Sequence, residues 1–353
     1  MQHITTWARH WAALFFLLSL QLLACRDFDG DRGSGSAKGR YERGVFVVNE
    51  GPFGGTGSIT WYDPDTGESE QDIFAKANNG VVLGQFVQSL TFHEGKAYIV
   101  VNGANRIVVA DAATFEYLDT IGGLTLPRYF LPIDANTAWV SQWGANGVAG
   151  SIAKVDLATR KVLKTIALPG PEDLYRADDN TLLVANIGGF GLDSTVSFIR
   201  LDTETELSRK TLPGTAPGGF ARAPFLAGGP LVLCKGGFRP PAFTPLPGWV
   251  GSLSTGVGTA IPNSADDPCD APDGQAVYFS GGGSIWAMDA GGVRKLFDQA
   301  AYGLACHPAT GYLYCADAKD FNSNGRVSIR KPDGTLLGGF DCGIAPGEVV
   351  VRK

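Results

Sequence analysis

Chemistry needs nucleophiles, acid–base pairs or metal ligands at usable spacings, and this chain offers few. It has four histidines. His3 and His10 fall in an apolar N-terminal stretch, while His93 and His307 each precede turn residues and read as turn residues rather than general bases. No nucleophile elbow, phosphate loop or His-Glu-x-x-His occurs. Glu172 with Asp173, and Asp266 with Asp267, are adjacent carboxylates whose spacing does not demand acid–base work. Asp320 to Gly325 opens like a calcium loop, but its twelfth position is Lys331 where a bidentate Glu belongs, so a tight turn is expected. Neither catalytic residues, nor a metal, nor a cofactor is implied.

Binding suits the unusual residues better. Asn49, Glu50 and Phe53, then Trp143, Asn186 and Phe190, and later Lys235, Phe238 and Asp317, stand in polar, glycine-rich loops. Gln85, Arg128, Tyr129 and Tyr302 stand where the chain approaches a strand. Aromatic rings give contact area at low entropy cost and amides fix orientation, a combination fitted to a large polar ligand.

Such loops need a regular scaffold, and the chain repeats one. An apolar strand running into a polar or small loop starts at Val45, Ala97, Ala138, Leu182, Leu231, Ala276 and Tyr312, about 36 to 52 residues apart. A second strand follows each, most ending in Asp, whose carboxylate accepts turn amides and is therefore structural. Segments opened by Pro or Gly, such as 127–133, 171–177 and 217–223, supply inner strands. This period predicts an all-β, seven-bladed β-propeller with four-stranded blades. The first unit lacks an inner strand and the chain ends in a spare one. The C-terminal strand at about 347–352 is therefore expected to pair with 45–49 and close the ring, removing exposed sheet edges. Loops after each apolar strand and approaches to each inner strand then share one face, which gathers the binding candidates. The proline-rich 238–248 reads as a long fifth-blade loop, not a domain boundary.

Apolar residues make up 44% of the chain, ample for a large core, and 48 glycines with 20 prolines suit many short strands and turns. A net charge of −6 without a basic stripe argues against nucleic acid. The apolar run 11–18 and Leu22-Leu23-Ala24-Cys25 read as a secretory signal ending in a lipobox, with Cys25 lipidated. The expected organisation is a signal peptide at 1–24, a lipidated flexible tether at 25–43 and one propeller at 44–353. Export permits disulfides, and equivalent positions in adjacent blades suggest Cys234 with Cys269 and Cys315 with Cys342, leaving Cys306 free; five cysteines also permit other pairings.

The strand–Asp–x-Ala-Thr–strand pattern, with Val48-Asn49-Glu50-Gly51, Lys96-Ala97-Tyr98-Ile99-Val100, Pro127-Arg128-Tyr129 and Gly343-Ile344-Ala345-Pro346-Gly347, resembles the YncE-like, YVTN-type propellers. It is most similar to lipidated members from Bacteroidetes outer-membrane uptake loci. The resemblance covers 44–353 and the lipobox; the fifth blade departs from it, ending its second strand without Asp. It implies an outer-membrane lipoprotein exposed on the cell surface beside a TonB-dependent receptor; separately, a monomer is expected. Its ligand would be a nutrient, and at least one branch of such propellers captures corrinoids. A propeller that holds a protein or glycan as a scaffold or adhesin stays open as an alternative, as does a saccharide hydrolase or lyase.

Overall fold

The computed structural model describes residues 39–226 and 229–353. The expected signal segment, the expected lipidation at Cys25 and most of the expected tether lie outside the described residues. Alternating apolar residues and Asp-led turns produce seven four-stranded antiparallel sheets, each running outward from an inner strand. The inner strands of blades 1 to 7 are Pro346–Arg352, Val87–His93, Pro127–Pro132, Pro171–Arg176, Pro217–Ala221, Asp266–Asp270 and Gly303–Cys306. Each lies beside the next, and blade 7 returns to blade 1, so they ring a central channel. The protein is a seven-bladed β-propeller.

Blade 1 joins the two ends of this unit. Gly44–Asn49 pairs with Ser58–Tyr62 on one side and with the C-terminal Pro346–Arg352 on the other, setting Val45 opposite Val351 and Val47 opposite Val349. Seven apolar layers fill the gaps between blades, and Phe46, Trp139, Phe279 and Tyr314 are among their fully buried members. The outward turns follow their expected chemistry. Asp111 Oδ1 accepts the Ala113 and Thr114 amides at 2.8 and 3.0 Å, and Asp156 Oδ1 those of Ala158 and Thr159 at 3.0 and 2.6 Å.

Three details differ from the sequence reading. The tether was expected to reach residue 43, but Tyr41 is buried with its ring 5.5 Å from those of both Trp61 and Phe115. Arg40 pairs with Glu68 and Glu70 at 2.5 and 2.9 Å, so the folded unit already includes residues 40 and 41. The 238–248 stretch is a long loop within blade 5, as read, but it is not irregular: it forms its own hairpin, Gly237–Arg239 with Thr244–Leu246. Among the described residues the cysteines are unbridged: neither Cys234 with Cys269 nor Cys315 with Cys342 is joined. Side chains on a blade alternate between its two neighbours, and each expected pair points into different layers. Cys234 packs between blades 4 and 5, Cys269 and Cys315 between blades 6 and 7, and Cys342 between blades 7 and 1.

Candidate functional site

Six of the seven inner strands begin with a register shift: at Val87/Ser89, Pro127/Phe130, Pro171/Leu174, Pro217/Gly219, Asp266/Cys269 and, in blade 1, where Val48 faces Glu348 and Asn49 faces Pro346. A bulge releases residues from the ladder and re-aims their side chains. The residues released here include Gln88, Arg128, Glu172, Asp267 and Gly347, which come from separate blades and meet at one end of the channel.

Glu172 is the hub of that mouth. Its side chain is 0% exposed, and it accepts Arg128 Nε and Nη2 at 2.9 and 2.8 Å and Trp143 Nε1 at 3.1 Å. Arg128 Nη1 also donates to Gln88 Oε1, and its guanidinium lies 4.1 Å from the centre of the Trp143 ring. A bidentate guanidinium stacked on indole is held on every side. Lys235 Nζ adds 2.9 Å and 3.9 Å contacts to Asp266 Oδ2 and Glu172 Oε1. Burial alone would raise the Glu172 carboxyl, but the charge and hydrogen bonds of Arg128, with help from Lys235 and Trp143, hold it below the usual carboxylate range. Burial disfavours the Lys235 ammonium, yet Asp266 and Glu172 hold its affinity for the proton well above the ordinary lysine value. Across the mouth, Glu50 is hydrogen-bonded to Tyr302; burial raises Glu50 despite that bond and the nearby cations.

Below the mouth, the channel opens into a cavity of about 320 Å³ lined by all seven inner strands, including Thr91, Tyr129, Asp173, Phe220, Asp267, Leu304 and Glu348. Glu348 Oε2 accepts the Leu90 amide at 2.8 Å, and Asp173 accepts the Leu174 and Phe220 amides at 2.8 and 3.0 Å. Burial pushes Glu348 up to about 8 and outweighs the amide bonds of Asp173 to push it up to about 7. Burial, reinforced by the charge of Asp266, raises Asp267 well above its ordinary value. Two further cavities, of about 350 and 470 Å³, lie away from these converging charges, one lined by blades 1 and 7 with the Ile73–Ala77 helix, the other by Gln299 and blade 7.

Exposed aromatics stand on the loops at the mouth. Phe53 is 94% exposed and Phe190 74%, and Phe238, Phe243 and Phe321 are also exposed. Phe190 packs edge-on against Trp143 at 5.4 Å. Gly147 makes room for it: a Cβ there would sit 2.0 Å from the Phe190 ring, and φ is +67°. Tyr302 and Phe321 meet at 4.9 Å.

Of the residues singled out from sequence, Glu50, Arg128, Trp143, Phe190, Lys235 and Tyr302 come together at the mouth, and Tyr129 lines the channel beneath them. Phe53, Gln85 and Phe238 are on the outer rim, with Gln85 Nε2 donating to the Gly54 carbonyl at 3.2 Å. Three do not serve the site. Asn49 and Asn186 are 0% exposed, with amides donating to Ser58 and Thr60, and to Thr195 and Ser197, on the neighbouring strand. Asp317 accepts the Lys319 amide at 2.8 Å and lines the groove that includes Gln299 and Arg326. Glu348 was missed, although it stands two residues after Pro346 on its inner strand just as Asp173 does after Pro171. The turn residues behave as read. His307 Nδ1 accepts the Ala309 and Thr310 amides, and Asp320 Oδ1 accepts those of Asn322 and Ser323.

The asparagine assignment is testable. Asn186→Ala should destabilise the fold by about 1 kcal/mol by removing the buried amide that donates to Ser197 and Thr195, although the Thr195 hydroxyl keeps Asp193 as a partner. Urea unfolding would measure the loss, and affinity for a ligand at the mouth should stay unchanged.

Residues 43–212, which span the outer strands of blade 1 and all of blades 2 to 4, match the model of a domain of unknown function, DUF5074. No match was found among curated proteins. A quinonprotein alcohol dehydrogenase-like protein from Bacteroides thetaiotaomicron superposes with a TM-score of 0.63 at 14% identity, covering 89% of this chain and 79% of that one. Hydrazine synthase from Kuenenia stuttgartiensis gives 0.58 at 15% identity over 76% of this chain and 92% of that one. A functionally unknown protein from Desulfotomaculum acetoxidans gives 0.58 at 13% identity, covering 88% of this chain and 98% of that one. At such identities the likeness is one of fold. The propeller scaffold fits a binding role.

Proposed function

We propose that this propeller captures a nutrient at the mouth of its channel and passes it to a TonB-dependent receptor, without chemistry of its own. In this reading Cys25 carries the lipid that anchors a monomer on the outer face of the outer membrane. The observation that supports it is the pairing of a rigid polar floor, Arg128–Glu172–Trp143–Lys235, with a rim of exposed Phe53, Phe190, Phe238 and Phe321. The floor has satisfied its own charges, so it is suited to orient a ligand rather than to attack one. The rim offers area to a large partly apolar ligand.

A corrinoid fits that description. It is a flat macrocycle fringed with amides, broad enough to touch several rim aromatics at once. Equilibrium dialysis with cyanocobalamin, paired with thermal unfolding, tests the assignment. Retention and a raised melting temperature support it; neither effect sinks the corrinoid proposal. Phe190→Ala should weaken retention roughly tenfold, about 1.4 kcal/mol, with the melting temperature of the free protein little changed. The hairpin that carries Phe238 and Phe243 favours a second reading, in which the same face holds a protein or glycan. A propeller that ignores corrinoids but still loses a bound partner on Phe238→Ala would support that role.

A further inference from the structure

Three thiols share the layer between blades 6 and 7. Cys269 lies on the inner strand Asp266–Asp270, Cys306 ends the neighbouring inner strand Gly303–Cys306, and Cys315 lies on Leu313–Asp317 beside it. Leu304 stands opposite Cys315 and Leu313 opposite Cys306, so both thiols share one sheet face. That face packs against Ile285, Tyr278 and Phe297 of blade 6. Cys269, opposite Tyr278, enters the same layer from the blade 6 side. Cys234 and Cys342 are in other layers.

We propose that Cys269 and Cys306 are an oxidisable pair that ties blade 6 to blade 7. Blades diverge outward from the channel, so adjacent inner strands offer the shortest crossing, and a disulfide tolerates only a short one. Cys315 stands one strand farther out. In the reaction each thiol loses its hydrogen and an S–S bond forms. The two electrons and two protons pass to a small external disulfide, which is cleaved to two thiols.

Timing follows from burial. Burial pushes the Cys306 thiol up to about 12 and the Cys269 thiol well above its ordinary value, so the docked layer holds almost no thiolate, the form that exchanges. The bridge therefore forms as the chain folds, before blade 7 seals the layer, and is protected from reductant afterwards. It would be made in an oxidising compartment, while a chain folded under reducing conditions would keep its thiols.

The test refolds the purified mature protein from denaturant in two buffers, one with reduced and oxidised glutathione and one with reductant alone. Unreduced product is cut with trypsin and chymotrypsin, because residues 296–319 hold Cys306 and Cys315 on one tryptic peptide. The expected result is a single bridge joining the Cys269 and Cys306 peptides in the first sample only. The bridged protein should melt about 5–10 °C higher. C315S should keep the bridge and C306S lose it. Absence of any bridge, or Cys269 joined to Cys315, Cys234 or Cys342, overturns the proposal; wild-type mapping decides this even if a variant fails to fold.

Discussion

Glu172→Ala should destabilise the propeller by about 3–5 kcal/mol, the largest loss expected from any single polar substitution at the mouth. Three donors converge on this fully buried carboxylate: the Arg128 fork, the Trp143 indole and, at longer range, Lys235. Removing it leaves the Arg128 guanidinium, 14% exposed, with the Gln88 amide, the Trp143 face and the more distant charge of Glu50, none of which forms an ion pair with it. An uncompensated buried charge costs far more than the intact pair contributes, because desolvation is no longer offset. Glu172→Gln keeps the shape and one acceptor, so its loss should fall between wild type and Ala. Replacing Glu172 and Arg128 together with Leu and Met removes both charges and should recover much of the stability. Urea unfolding of the four proteins reads all of this out. If the double variant is no more stable than Glu172→Ala, stranded charge is not the cause.

The same cluster shows where sequence reasoning succeeds. The repeat, the turn aspartates and the spare C-terminal strand depend on local alternation and turn chemistry, and a residue's neighbours in sequence carry that information. Which blade a side chain faces depends on register, and one bulge reverses it. Arg128 was visible as an unusual residue at a strand approach and Glu172 as one of two adjacent carboxylates, but nothing in the string 127–129 or 171–173 says that their strands bulge toward each other. The cysteines failed because a position in the string does not show which layer a side chain enters: Cys234 ends the second strand of blade 5 and Cys269 lies on the inner strand of blade 6, and the two project into different layers. Asn49 and Asn186 were misjudged because their loops are polar. What sequence could not show is the row of Ser and Thr hydroxyls across the strand pair that captures their amides. Tyr41 was assigned to a tether on the composition around it, although a lone aromatic beside the first blade strand was a usable sign of docking.

Stability should fall as the pH rises from about 5 to 8, and the channel carboxyls set that slope. Glu348 titrates at about 8 and Asp173 at about 7 in the folded protein, while unfolded carboxyls titrate near 4. A group whose folded value is raised binds more protons folded than unfolded throughout the interval, so each pH unit favours unfolding. The stabilisation is complete below the unfolded value and gone once pH passes the folded one. Asp173 acts over about pH 4 to 7 and Glu348 over about pH 4 to 8, each by up to about 1.4 kcal/mol per unit. Glu172 opposes them at the acid end: held low by Arg128, it contributes above its unfolded value and is lost as pH falls through its folded one. The profile should therefore peak on the acid side of neutrality. Glu348→Gln keeps a neutral acceptor for the Leu90 amide and should flatten the alkaline limb, raising stability at pH 8 relative to wild type. Thermal unfolding across pH 4 to 9 checks both. Parallel profiles for wild type and Glu348→Gln would show that this carboxyl ionises freely in the channel, and the slope would then need another source.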